Sequence, residues 1–89
     1  MKIEVYSKPG CQPCRFVKDH LKRELQSEIE SSVVEIIEYD VYEDESALAR
    51  IKEMGFQGVP VTFIDNHDPI YGFDLGKLDQ IISSFKHND

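Results

Sequence analysis

Apolar and polar positions alternate from Lys2 to Tyr6, with Ile3 and Val5 on one side and Glu4 and Tyr6 on the other. Short, β-branched and alternating, the segment predicts a strand. From Pro13 the period changes: Val17, Leu21, Leu25 and Ile29 recur every four residues, with Lys18, Asp19, Lys22, Arg23 and Glu24 between them. That spacing predicts an amphipathic helix ending near Glu30 to Ser32. Val33 to Val41 is apolar on both parities, as in a strand covered on both faces, and should pair parallel with the first strand through a right-handed crossover. Asp44 or Ser46 can cap a second helix whose buried stripe is Ala47, Leu48, Ile51 and Met54, stopped by Gly55.

The run Val59 to Ile64 is β-rich but carries Pro60 near its start, which an edge position or an unusual peptide geometry would explain. Asn66 to Pro69 reads as a turn, and Ile70 to Gly72 as a short fourth strand closing a hairpin. Asp74 then caps a last helix with Leu75, Leu78, Ile81, Ile82 and Phe85 inward, and the tail Lys86 to Asp89 is expected to fray. The order is βαβαββα, an α/β class.

Eighty-nine residues with 40% hydrophobic content suit one small domain over 1–89 and leave no room for a separate substrate domain. The chain opens Met1-Lys2-Ile3-Glu4 and lacks the apolar run of ~18 residues that a membrane span needs, so a cytoplasmic protein is expected. A net charge of −7 argues against nucleic-acid binding, because a phosphate backbone calls for a basic footprint. The distribution qualifies that sum. Lys2, Lys8, Arg15, Lys18, Lys22 and Arg23 fall in the first 23 residues, opposed there only by Glu4 and Asp19. Most of these are ordinary solvated charges; Lys8 and Arg15 flank the cysteines and are the exceptions.

Both cysteines lie in the stretch Tyr6-Ser7-Lys8-Pro9-Gly10-Cys11-Gln12-Pro13-Cys14, at a strand-to-helix junction. One close pair in a small chain points to redox or metal chemistry rather than a disulfide framework. Two intervening residues let one helical turn bring the sulfurs together. Cys11 falls at the helix N-terminus, where free N–H groups and the macrodipole favour a thiolate, and Cys14 one turn inside, so Cys11 is the expected nucleophile. Lys8 and Arg15 would favour the thiolate further. Zinc would need four ligands; there is no second C-x-x-C, and His20, His67 and His87 are irregularly spaced and read as surface histidines.

With C-x-x-C after the first strand, Val59-Pro60 before the third and Gly72-Phe73-Asp74 beyond, the sequence resembles the glutaredoxin and NrdH-type redoxin family of the thioredoxin superfamily. The resemblance covers essentially the whole chain. It implies the minimal thioredoxin fold, a four-stranded mixed sheet flanked by three helices, and the activity of a dithiol thiol–disulfide oxidoreductase. Cys11 would attack a target disulfide and Cys14 would resolve the mixed disulfide. Pro60 would be cis, with the Val59 backbone pairing to the substrate, and Lys8, Gln57, Gly72 and Asp74 fall where glutaredoxins hold glutathione. The chain departs from that pattern at Pro13 for the usual Tyr, Gly58 for the usual Thr, and Tyr71-Gly72 for a Gly-Gly pair; Gly10 replaces the Trp of thioredoxins. Tyr71 and Phe73 would form an exposed lip for a partner or finish the core under the last helix.

The resemblance implies a monomer with no tightly bound cofactor and no membrane or nucleic-acid partner. It would reduce disulfide-containing proteins, ribonucleotide reductase among the candidates. Its electrons would come from a thioredoxin reductase-type flavoprotein or from glutathione. The other class is a non-catalytic module of the same fold that senses redox state or binds a cluster or a protein. The intact dithiol beside Lys8 favours catalysis.

Overall fold

In a computed structural model that describes residues 1–87, four strands form one mixed sheet in the order β2-β1-β3-β4. Strand β1 (Lys2–Ser7) pairs parallel with β2 (Glu35–Asp40), from Lys2 opposite Glu35 to Ser7 opposite Asp40. On its other side it pairs antiparallel with β3 (Val61–Ile64), Tyr6 lying opposite Val61 and Ile3 opposite Ile64. The hairpin is closed by β4 (Ile70–Tyr71), where Tyr71 faces Val61. These pairings match the βαβ unit and hairpin predicted from periodicity.

One face of the sheet buries Ile3, Val5 and Ile64 against Val17 and Leu21 of the first helix, Leu25 just after it, and Leu78 and Ile82 of the last helix. The other face buries Tyr6 and Val61 against Ala47 and Ile51. The elements are α1 (Gln12–Glu24), α2 (Gln26–Glu30), α3 (Glu45–Glu53) and α4 (Leu75–His87). The first of the three predicted helices is thus two. A strict four-residue repeat gains about 40° per step on an α-helix, so Ile29 on a straight helix would point about 120° away from Val17. At Leu25 (φ −115°, ψ 23°) the chain breaks, Leu25 stays fully buried, and Ile29 packs back onto the same core.

The strands trade the roles assigned to them. β2 is an edge strand, only partly buried, whereas β1 lies between two neighbours with both faces covered. Glu4 and Tyr6 are therefore buried. Arg50 of α3 satisfies them, its Nη1 donating to both Glu4 oxygens at 3.3 and 3.2 Å and to the Tyr6 hydroxyl at 2.7 Å. The Tyr39 hydroxyl donates to Glu4 at 3.0 Å, and the Tyr39 ring stacks on Tyr6 with centroids 4.6 Å apart. The Arg50 guanidinium also lies 4.5 Å from the Phe63 ring centroid. Burial raises the Tyr6 phenol above its ordinary range and outweighs the pull of Arg50.

Three boundaries differ from expectation. β2 begins at Glu35 because the Val33 and Val34 amides bond to the Glu28 carbonyl and leave Val33 exposed. Met54 caps the C-terminus of α3 and is exposed, outside the stripe, as is Leu75 at the first residue of α4. Lys86 and His87 continue α4 instead of fraying; Asn88 and Asp89 lie outside the described residues. Of the two candidate caps for α3, Asp44 serves. Its Oδ1 accepts from the Ser46 hydroxyl and the Ser46 and Ala47 amides, and these bonds hold its carboxyl below the ordinary range. No helix is long and apolar enough to cross a membrane among the described residues.

Thr62 is fully buried, and its Oγ1 is the one buried side-chain polar atom without a partner among the described residues. A stranded hydroxyl costs more than the methyl that would replace it, so Thr62→Val is expected to stabilise the fold by about 1–2 kcal/mol in urea unfolding. An unchanged or lowered midpoint would contradict this.

Candidate active site

Strand register decides which loops meet. Ser7 ends β1 opposite Asp40 at the end of β2, and Tyr6 lies opposite Val61 at the start of β3, which itself faces Tyr71 at the end of β4. The loops Lys8–Gly10, Gly58–Pro60 and Gly72–Asp74 therefore all leave the same end of the sheet.

Cys11 is the N-cap of α1, with extended backbone (φ −92°, ψ 104°), and Pro13 sits in the first turn, where a missing N–H costs nothing. The Cys14 N–H donates to Cys11 Sγ at 3.2 Å, and the two cysteines are joined as a disulfide with Cα atoms 5.3 Å apart. Their environments differ. Cys14 belongs to the buried stripe of α1 with Val17 and Leu21 and is 1% exposed, while Cys11 stands half-buried at the rim. An amide aimed at Cys11 Sγ at a helix N-terminus stabilises negative charge on that sulfur once the bond is reduced.

Beside the disulfide opens a groove of about 520 Å³ lined by Lys8, Gly10, Gln12, Arg15, Lys18, Asp19, Lys22 and Glu38 as well as both cysteines. Glu38 holds Lys18 and Lys22, one to each oxygen, at 3.3 Å. Burial raises the Glu38 carboxyl, but the bonds and charges of the two lysines outweigh it and leave the group below its ordinary value. Lys8 and Arg15 are exposed and form no ion pair among the described residues; Lys8 Nζ lies 6.0 Å from the Tyr42 ring centroid.

Of the other residues singled out from sequence, Gln57, Val59, Pro60, Gly72 and Asp74 do not line this groove. They occupy the two loops at the same end of the sheet. The Val59–Pro60 bond is cis, Pro60 is buried, and its carbonyl accepts the Gly72 N–H at 2.8 Å, which ties the α3–β3 loop to the end of β4. Gly72 has φ +78°, a conformation that favours glycine. Gln57 is exposed, and Asp74 Oδ1 accepts the Lys77 N–H at 3.1 Å in a capping bond to α4.

Tyr71 and Phe73 are exposed, so they form a lip rather than core. Tyr71 stacks on Phe56 with centroids 5.6 Å apart, and Phe73 meets Phe16 of α1 at 5.7 Å. A Cβ on Gly58 would stand 3.0 Å from the Tyr71 hydroxyl, so the bare backbone at Gly58 gives that hydroxyl its room. The two departures from the glutaredoxin pattern at positions 58 and 71 are thus one packing arrangement.

His20 is not a surface histidine. It is buried, with Nε2 2.7 Å from Asp79 Oδ1, and joins α1 to α4. The signal was its place three residues after Val17 on the inward side of α1; its partner 59 residues away carried none. No group of three or more His, Cys, Asp or Glu positioned to hold a metal occurs among the described residues.

A model of the glutaredoxin family matches residues 3–68. The gene 56 protein of Mycobacterium phage L5 is 31% identical over 84 residues, covering 93% of this chain and 74% of that one. Among solved structures, the thioredoxin-like protein BC3987 is 34% identical, with a TM-score of 0.71 over 89% of this chain and 97% of that chain. The NrdH-redoxin of Escherichia coli superimposes with a TM-score of 0.67 over 91% of this chain and 95% of that chain; at 18% identity the likeness is one of fold.

The contact at Gly58 yields a prediction. Gly58→Ala is expected to move the Tyr71 hydroxyl by a few tenths of an ångström and so shift the exposed ring on Phe56, while changing stability by less than about 1 kcal/mol, since the displaced atom ends a flexible side chain. Gly58→Ala combined with Tyr71→Phe should restore the stack. Ring shifts in NMR spectra report both, and an undisturbed Phe56–Tyr71 stack in the single variant would refute the coupling.

Proposed function

The chain belongs to the glutaredoxin family, and from that premise we propose that it is a dithiol thiol–disulfide oxidoreductase, one unit over 1–89, that reduces disulfides in proteins. The observation that carries the reading is the asymmetry of the cysteine pair: Cys11 at the open N-cap with an amide on its sulfur, Cys14 buried one turn behind it.

The chemistry follows from that asymmetry. In the reduced protein the Cys11 thiolate attacks one sulfur of the target disulfide; a Cys11–target bond forms, the target bond breaks, and the departing sulfur takes up a proton. Cys14, giving up its own proton, then attacks Cys11 Sγ. The second target thiol leaves, and the Cys11–Cys14 disulfide forms. Two electrons have passed to the target. Lys8 and Arg15 add positive charge at the sulfurs, which favours the attacking thiolate. Val59 and Pro60 would align the target backbone.

A two-electron donor must reopen the disulfide. Glutathione, an anionic tripeptide, would call on Lys8, Gln57, Gly72 and the N-terminus of α4 near Asp74. The Tyr71 ring, stacked on Phe56 with its hydroxyl beside Gly58, narrows that approach, which supports a thioredoxin reductase-type flavoprotein as the electron source. Ribonucleotide reductase belongs to the class of protein disulfides such a carrier would serve. No resident cofactor enters the cycle, and the proposed setting is cytoplasmic.

Cys11→Ser is expected to lower insulin reduction to the background rate, whereas Cys14→Ser should still attack and accumulate a mixed disulfide, visible by mass spectrometry. The reverse pattern would exchange the two roles. The donor is tested by following NADPH oxidation in two coupled assays, one with thioredoxin reductase and one with glutathione plus glutathione reductase. Faster turnover is expected with thioredoxin reductase; efficient turnover only with glutathione would overturn that preference.

A further inference from the structure

The groove beside the disulfide has the opposite charge balance to the molecule around it. The chain carries −7, yet the groove is lined by four cations and two carboxylates. Its cations are arranged. Arg15, Lys18 and Lys22 follow one another at i, i+3 and i+7 along one face of α1, which leads away from Cys11 for about 10 Å. Lys18 and Lys22 share the two oxygens of Glu38, so one carboxylate holds both ammonium groups in place and neutralises only one of them. Lys8 and Arg15, which flank the cysteines in sequence, have no carboxylate partner among the described residues.

We infer that this groove receives an acidic segment of the protein being reduced, carrying about two or three carboxylates next to the target cysteine. An extended chain advances about 3.3 Å per residue, so about three residues span the groove from Arg15 to Lys22. The inference rests on the proposed reductase activity for its substrate. Charge complementarity with the four cations selects this occupant over a basic one. Asp40, Glu43, Asp44 and Glu45 form an acidic cluster past β2 that adjoins the groove through Glu38, which lines both, so an acidic segment is directed along α1 rather than across β2. The four cations of the groove attract such a segment, an effect that falls with ionic strength.

Two readouts test this. In the first, peptides with Ser in place of Cys, flanked by three Asp or by three Lys, are titrated into isotope-labelled protein. The Asp peptide is expected to shift the Arg15, Lys18 and Lys22 amides and the Lys peptide to leave them in place. Equal shifts with both peptides, no shifts with either, or the same shifts on concentrating the protein alone, which would make a second copy the occupant, would each overturn the proposal. In the second, the same sequences carry a disulfide, and kcat/KM is measured in each variant as the ratio of Asp to Lys peptide. Taking about threefold per exposed charge pair, the ratio is expected to be about tenfold at low salt and to collapse near about 0.5 M NaCl. It should fall at least about threefold in Arg15→Glu and separately in Lys22→Glu. A ratio near one in the unmodified protein, or one unmoved in both variants, would overturn it. Amide shifts without reduction of either peptide or of a small neutral disulfide would instead sink the proposed reductase activity and leave the groove assignment standing.

Discussion

The pairing of β1 with two neighbours at once is the constraint on which the rest of the molecule depends. A parallel partner on one side and an antiparallel one on the other place the C-terminal end of β1 beside the end of β2, the start of β3 and the end of β4. Residues 11, 60 and 72 are far apart in sequence, and the register alone brings their loops to a common end. Ladder hydrogen bonds and two apolar faces fix that register, because a slip of one residue would turn Ile3 and Val5 out of one core and Tyr6 out of the other.

Much of this was legible from periodicity. The crossover from β1 to β2, the β3–β4 hairpin and the inward faces of α1 and α4 follow from where apolar residues recur, and the resemblance to glutaredoxins agrees with the family match. The failures share a cause. Which strand is central depends on what pairs with it, and alternation in β1 does not reveal that Arg50, 46 residues from Glu4, will satisfy a carboxylate on the supposed polar side. Likewise the four-residue repeat from Val17 to Ile29 shows which residues are buried, not that the helix must break at Leu25 to bury them.

The candidate site divides in the same way. Cys11 and Cys14 were readable because a local spacing carries their chemistry, and Asp74 because capping is local. The groove was not. Lys18 and Lys22 read as ordinary solvated charges, and only the fold places Glu38 of β2 between them. Gly58 and Tyr71 each read as a departure from a pattern, and their contact across 13 residues shows them to be two halves of one fit.

Arg50 has a consequence for how the molecule comes apart. Glu4 sits in the middle of the sheet at 8% exposure, and its cationic partner belongs to α3, a nine-residue helix resting on the smaller of the two cores. If α3 lifted alone, it would leave the Glu4 carboxylate and the Tyr6 hydroxyl without their cationic donor, with only the Tyr39 hydroxyl still donating to Glu4, a state costlier than separating apolar surfaces of equal size. Separating the short helix from the sheet therefore carries a polar cost beyond that of its apolar contacts. A single arginine thus ties the helix over the smaller core to the central strand of the sheet.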